Sequence, residues 1–195
     1  MKYVFAIFFS IMLTSCSSQK VTSQFDLTNT EKDIINNFLK FELASDAYKY
    51  RRNNNVVIIK NAIPKKQVLD DYLSIIRNFK ESLIDTLQAV KMRKEFENET
   101  QYYWKSSDFR IKNLLTQSIE SFEKSIKKEA YLNLPPRIII HLSVPLLIND
   151  KEALVGFMSG GGDLGYTSIN SGLILMVRNN ENKWVFKQFL GSKYS

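Results

Sequence analysis

Pro135-Pro136-Arg137-Ile138-Ile139-Ile140-His141-Leu142-Ser143-Val144-Pro145 is the segment on which the architecture turns. The two leading prolines lack a backbone donor and stop any helix arriving from upstream. Residues 137–144 are then rich in β-branched and aliphatic side chains, the composition of a strand. Three more strands follow: 153–159, 169–178 and 183–190. Asn149-Asp150-Lys151 reads as a turn and 160–165 as a glycine-rich loop. Asn179-Asn180-Glu181-Asn182 reads as a hairpin, because asparagine tolerates positive φ. Consecutive strands on short connections form an antiparallel meander.

Upstream the pattern changes. All seven glycines lie at or after Gly156, and three of the four prolines at or after Pro135. Thr28-x-x-Glu31 marks a helix start. Ile34, Ile35, Phe38 and Leu39 then share one face of a helix over about 30–44. Val56-Val57-Ile58-Ile59 is a short strand between an Asn53–Asn55 turn and Pro64. Val68, Leu69, Tyr72, Leu73, Ile75 and Ile76 stripe a second helix within a mostly helical 65–97. Asp85-x-x-Gln88 restarts it after a break near 80–85, although Leu87, Val90, Lys94 and Phe96 make no clean stripe. Ser107 or Asp108 is expected to cap a further helix carrying Leu114, Leu115, Ile119, Phe122 and Ile126. The fold class is therefore α+β: a helical N-terminal part packed on a C-terminal antiparallel β-meander, with helices on one face of the sheet. Residues 30–195 form one domain, and no internal repeat is visible.

The first 29 residues are of another kind. Lys2 precedes an uncharged run, Tyr3 to Leu13, of 11 residues. As a helix it would measure ~16 Å, about half of a ~30 Å hydrocarbon core. That fits an export signal rather than a membrane span. Leu13-Thr14-Ser15-Cys16 closes it and resembles the lipobox of bacterial lipoproteins, in which the cysteine thiol takes a diacylglyceryl group. Cys16 is the single cysteine. No intrachain disulfide is possible, and lipidation would consume the lone thiol. The expected organisation is a signal peptide over 1–15, then a lipidated cysteine and polar tether over 16–29. Residues 17–29 would reach about 20 Å as a flexible chain. Removing 1–15 takes away one lysine and no acid, so the formal charge of +7 falls to +6. The basic residues are scattered among acids, as in Lys91-Met-Arg-Lys94-Glu95, so solvated helix faces account for them and no nucleic-acid partner is expected.

A resemblance covers roughly residues 30–195. The 135–145 segment, Ala153-Leu-Val155, Gly160-Gly-Gly-Asp163-Leu-Gly165-Tyr166, Asn182-Lys-Trp184 and Tyr102-Tyr103-Trp104-Lys105-Ser106-Ser107-Asp108-Phe109 together resemble uncharacterised, Flavobacterium-like envelope lipoproteins of Bacteroidota. The resemblance implies an envelope lipoprotein with an α+β domain and carries no activity. With Ser17 rather than aspartate after the cysteine, and no acidic run in 17–20, the expected location is the outer membrane, facing the periplasm.

Chemistry-bearing residues are sparse. His141 is the single histidine, so a Ser-His-Asp site would have to use it. Ser143 shares its strand face but lies roughly 7 Å along the backbone, at ~3.3 Å rise per residue. Asp70-Asp71 are adjacent on a helix and diverge by ~100°. Gly160-Gly161-Gly162-Asp163-Leu164-Gly165 lacks the lysine and hydroxyl of a phosphate loop. No cofactor or metal is expected, because the mature chain offers one histidine and no free thiol. Tyr103, Trp104, Gly161, Gly162 and Asp163 are the candidate ligand or partner surface. The expected role is a non-catalytic domain binding a protein or small ligand, held on the bilayer by acylated Cys16. The alternatives are an immunity or stress-type lipoprotein that neutralises a toxin at the envelope, and a hydrolase using His141, which the spacing disfavours.

Overall fold

The computed structural model describes residues 26–51, 55–76, 82–112, 114–127, 137–161 and 168–191. The expected signal segment 1–15, Cys16, the expected tether as far as residue 25, Asn53-Asn54, Pro135-Pro136, Gly162 and Asp163 lie outside the described residues. No described helix is long and apolar enough to cross a membrane.

Helix α1 (Asn29–Leu43) starts as its capping box requires. The Thr28 side chain accepts the Glu31 N–H, and Glu31 Oε2 accepts the Thr28 N–H at 2.9 Å. Strand β1 (Asn55–Ile59) is followed by α2 (Lys65–Ile76), α3 (Thr86–Glu95), β2 (Leu114–Gln117) and α4 (Ile119–Lys127). Strands β3 (Arg137–Leu142), β4 (Leu146–Asn149), β5 (Glu152–Gly161), β6 (Ser168–Arg178) and β7 (Trp184–Gly191) complete the chain. The class is α+β, and β3, β5, β6 and β7 form the expected antiparallel run. The β6–β7 hairpin turns through Asn182 at φ 59°, with Asn182 N–H donating to Asn179 O.

The sheet extends beyond that meander. Its order is β2-β1-β3-β5-β6-β7, and β1 pairs in parallel with both β2 and β3. Residues 56–59 are all buried, which suits an interior strand whose two faces are both covered. Parallel neighbours need crossovers. The β1-to-β2 crossover carries α2 and α3, and the β2-to-β3 crossover carries α4. The expected helix from Ser107 or Asp108 is therefore wrong in its first half. Leu114–Gln117 is a strand, because the edge of β1 offers it a ladder. The helix begins only after Ser118, whose Oγ accepts the Ser121 N–H at 3.2 Å. Asp108 ends a single 3-10 turn (Ser106–Asp108) and is buried.

Helices also cover both faces of the sheet, not one. On the first face, Ile34, Ile35, Phe38 and Leu39 of α1 join Ile138, Ile140, Leu142, Val155, Phe157 and Ile174. On the second, Val68, Leu69 and Tyr72 of α2 and Ala89 and Met92 of α3 join Leu146, Ile148, Leu154, Leu173 and Leu175. Each such aliphatic side chain, fully buried, contributes about 1.5–3 kcal/mol. Helix α3 places apolar side chains both inward and outward: Leu87 is 83% and Val90 60% exposed. That is why its sequence shows no clean stripe.

One irregularity organises the second face. Three residues, Ser143, Val144 and Pro145, oppose two, Val155 and Gly156, between the pairs Leu142↔Phe157 and Leu146↔Leu154. This is a β-bulge. It ends β3 earlier than Val144 and inverts the alternation. Even-numbered residues of β3 face α1, whereas Leu146 and Ile148 of β4 face α2 and α3.

A buried polar cluster lies at the root of the β5–β6 connection. The Tyr48 hydroxyl is 2.9 Å from Glu42 Oε1 and 2.5 Å from Ser159 Oγ, and Ser159 Oγ is 3.2 Å from the same carboxylate oxygen. Burial raises the Glu42 pKa against the opposing hydrogen bonds of Tyr48, Ser159 and Asn170. Folded Glu42 thus holds its proton to a higher pH than unfolded Glu42, so this group's contribution to stability is lost as pH rises from the ordinary carboxylate range through the folded pKa. Glu42→Gln keeps the acceptor without the buried charge. Denaturant unfolding should find it more stable than the parent near pH ~8, with that advantage gone near pH ~4. A variant equally or less stable at the higher pH refutes this account.

Candidate functional site

Helix α2 approaches the sheet over Gly156. A Cβ there would lie 3.2 Å from Val68 Cγ2 and 3.4 Å from Leu173 Cδ2, so even an alanine would require these side chains to give by a few tenths of an ångström. The Gly156 N–H donates to Ser143 Oγ at 2.9 Å, and Ser143 N–H donates to Gly156 O at 2.9 Å. The serine side chain thus supplies the acceptor that the bulge would otherwise misplace.

Beside this contact lies a cleft of about 230 Å³. Its wall is the α2 ridge Gln67, Asp71 and Ile75, spaced by four residues on one helical face. Its floor includes His141 of β3 and the directly opposed Met158 of β5. Leu173, Gly172 and Gly191 continue the lining across β6 and β7. Gly172 has φ 147°, and a Cβ on it would meet Gly191 O and Phe189 Cζ. Glycine is therefore required there both for backbone conformation and for space.

The cleft is graded. Ile63, which precedes α2, bridges Ser143 beyond β3. At the other end of α2, Ile75 Cγ2 would lie 3.6 Å from a Cβ built on Gly191 of β7. The helix therefore runs from the β3 side to the β7 side. Gln67 lies in its first turn and His141, bound to Asn61 O, lies near its start; Asp71 lies mid-helix, and the aliphatic end is formed at Ile75. No lysine or arginine lines the cleft among the described residues.

His141 is half-buried, and its Nε2 lies 2.8 Å from Asn61 O. A carbonyl only accepts, so Nε2 carries the hydrogen, and the neutral ring keeps its lone pair on Nδ1. Burial lowers the His141 pKa, partly offset by the Asn61 carbonyl. Asp70 and Asp71 diverge: Asp70 pairs with Arg93 at 3.0 Å on the surface, and Asp71 lines the cleft.

The surface expected around Tyr103 and Trp104 needs correction. Trp104 is fully buried in the α1-side core, its Nε1 donating to Leu142 O at 3.3 Å. It stacks edge-on with Tyr102 at 5.3 Å between ring centroids. Tyr103, 41% exposed, points the other way on the same extended segment. That segment adds itself to the end of β1, through Ala62 N–H to Tyr102 O and Trp104 N–H to Lys60 O. Alternation along an extended chain sends neighbouring side chains to opposite sides, so the two rings cannot line one groove. Gly161 is buried, paired with Ile138 at the end of β5. Ser143 and His141 do not meet, since each is bound elsewhere. The cleft residues Gln67, Met158, Gly172 and Gly191 were not singled out from sequence; Asp71 entered only as half of an adjacent carboxylate pair and Ile75 only as part of the stripe of α2. Only the four-residue spacing of 67, 71 and 75 hinted at a shared face.

No protein-family model matches the chain, and no curated protein or solved structure matches it.

Because the native ring resists protonation, the unfolded state binds the proton first as pH falls. Stability contributed by neutral His141 is therefore lost as pH drops from the ordinary histidine range, ~6.5, toward the folded pKa. An NMR titration of this single imidazole should give a midpoint below ~6.5, and His141→Gln should remove this share of the acid-side loss. A midpoint at or above the ordinary value overturns the assignment of a desolvated ring.

Proposed function

We propose that this protein is an exported envelope lipoprotein, anchored by acylated Cys16 on the periplasmic side of the outer membrane. Its folded body acts by binding a small ligand without transforming it. The observation carrying the binding role is the α2–sheet cleft: a concave space with glycines and apolar side chains in its lining and a small set of polar side chains, the usual composition of a small-molecule site. The anchoring half rests on the sequence Leu13-Thr14-Ser15-Cys16 behind a short apolar run, and on the resemblance to Bacteroidota envelope lipoproteins. Binding without chemistry is favoured because Ser143, the hydroxyl nearest His141 in the chain, is committed to the Gly156 N–H. Asn61 holds Nε2 of the imidazole, so the ring is positioned as a fixed acceptor.

The anchor is tested by Cys16→Ala. Cells fed labelled palmitate should label the parent protein and not the variant, and the variant should leave the membrane pellet for the soluble fraction. Labelling of both, or of neither, would sink the lipoprotein reading.

A further inference from the structure

Helix α3 turns one face away from the body. Ala89 and Met92 are buried, and Arg93, at the flank, pairs with Asp70 of α2. Leu87, Val90, Lys91 and Lys94 follow the three- and four-residue spacing of a single helical face, and all four are exposed. Leu87 at 83% and Val90 at 60% are the two most exposed large apolar side chains among the described residues. A basic last turn complements the helix dipole, but the dipole gives no reason for two aliphatic side chains in solvent beside it. An aliphatic pair and two lysines on one face match a surface that is apolar beneath an anionic border, which is the chemistry of a lipid bilayer. Lysine stems can lie along the apolar layer while their ammonium groups reach the phosphates.

The direction of the anchor points to the same end of the molecule. Glu99, four residues after α3 ends, accepts the Lys65 and Lys66 N–H groups at 2.9 and 3.1 Å. The last turn of α3 therefore lies near the first turn of α2. Glu31 binds Lys65 there at 2.8 Å, which brings the start of α1 to this end as well. Asp26, the first described residue, precedes the Thr28 cap of α1 by two positions. Residues 17–25 separate it from Cys16, and ten residue steps span at most about 36 Å. An anchor on Cys16 keeps this end of the body beside the bilayer, where tethering makes even a weak surface contact effective.

We propose that the outward face of α3 lies against the headgroups of the bilayer that carries the anchor, with Leu87 and Val90 toward the acyl boundary and Lys91 and Lys94 on anionic phosphates. The proposal rests on the reading of the chain as an anchored lipoprotein and names the surface that orients its body. Lys40, exposed on α1 across the sheet from α3, faces away from the bilayer in this orientation.

The protein purified from cells is reconstituted into phosphatidylglycerol vesicles and into phosphatidylcholine vesicles, and floated with them. A water-soluble amine-acylating reagent is added, and the rate at each lysine is read by peptide mass. Lys91 and Lys94 should react about ten-fold more slowly on phosphatidylglycerol than on phosphatidylcholine, as two cations at an anionic surface imply. Lys40 should react alike on both, and raised salt should shrink the difference at α3. Leu87→Glu, on a side chain the fold does not bury, should remove the protection while leaving flotation and the thermal midpoint unchanged. Equal rates at Lys91 and Lys94 on the two lipids, slowing at Lys40 as large as theirs, or protection retained in Leu87→Glu overturns the α3 assignment while leaving the anchor in place. Protein that does not float with either vesicle overturns the anchor and the α3 assignment together.

Discussion

The second face of this protein depends on one extra residue. Where Ser143, Val144 and Pro145 oppose Val155 and Gly156, the ladder would lose register, and Pro145 has no N–H to offer it. Ser143 Oγ repairs the gap by accepting the Gly156 N–H. Two consequences follow from that repair. The strand resumes as β4 with its alternation reversed, so Leu146 and Ile148 turn toward α2 and α3. Gly156 also remains flush with the sheet, which lets Val68 bring α2 into direct contact. The cleft is the space left beside that contact.

The opposite face is held by charge as well as by packing. Asp108 is buried, yet its Oδ2 accepts from the Tyr102 hydroxyl at 2.7 Å and the Lys105 N–H at 2.9 Å, with Lys32 Nζ 3.3 Å from Oδ1. Burial, followed by this carboxylate, raises the Tyr102 pKa beyond the ordinary phenol range. Asn36 of α1 donates to Asp108 O and accepts from the Arg110 N–H. Glu31, besides capping α1, binds Lys65 at 2.8 Å, and Glu99 accepts the Lys65 and Lys66 N–H groups at the start of α2. Both helices and the 99–110 segment are thereby tied at one place. A buried carboxylate is tolerated there because its oxygens are satisfied. Removing one partner would leave the charge stranded, so these side chains specify the docking of α1 as much as they stabilise it.

Local signals in the sequence were sound wherever neighbouring residues settle the outcome. The Thr28–Glu31 box, the Asp85 cap, the Asn182 turn and the four long C-terminal strands all depend on contacts within a few residues. The Asp85 cap shows where such signals stop. Asp85 takes the Gln88 N–H as expected, but the Gln88 side chain leaves the helix to bind Ile148 O at 3.0 Å. The uninterrupted apolar run Val56–Ile59 did hold a clue to its central place, since only a strand covered on both faces has no polar alternation. Leu114–Gln117 held none. Its helical spacing is real, and the exposed edge of β1 overrode it.

By itself, the sequence determined the α+β class, the helix caps, the antiparallel run and an N-terminal segment distinct in composition from the body. These follow from periodicity, proline and glycine placement and side-chain reach, all of them short-range. Only the tertiary structure decided that β1 lies inside the sheet, that helices cover both faces, that Trp104 is core, and that Gln67, Asp71, His141 and Met158 share a cleft. Those four residues come from α2, β3 and β5. Their meeting depends on strand order and on a one-residue bulge, and neither is encoded within reach of any one segment.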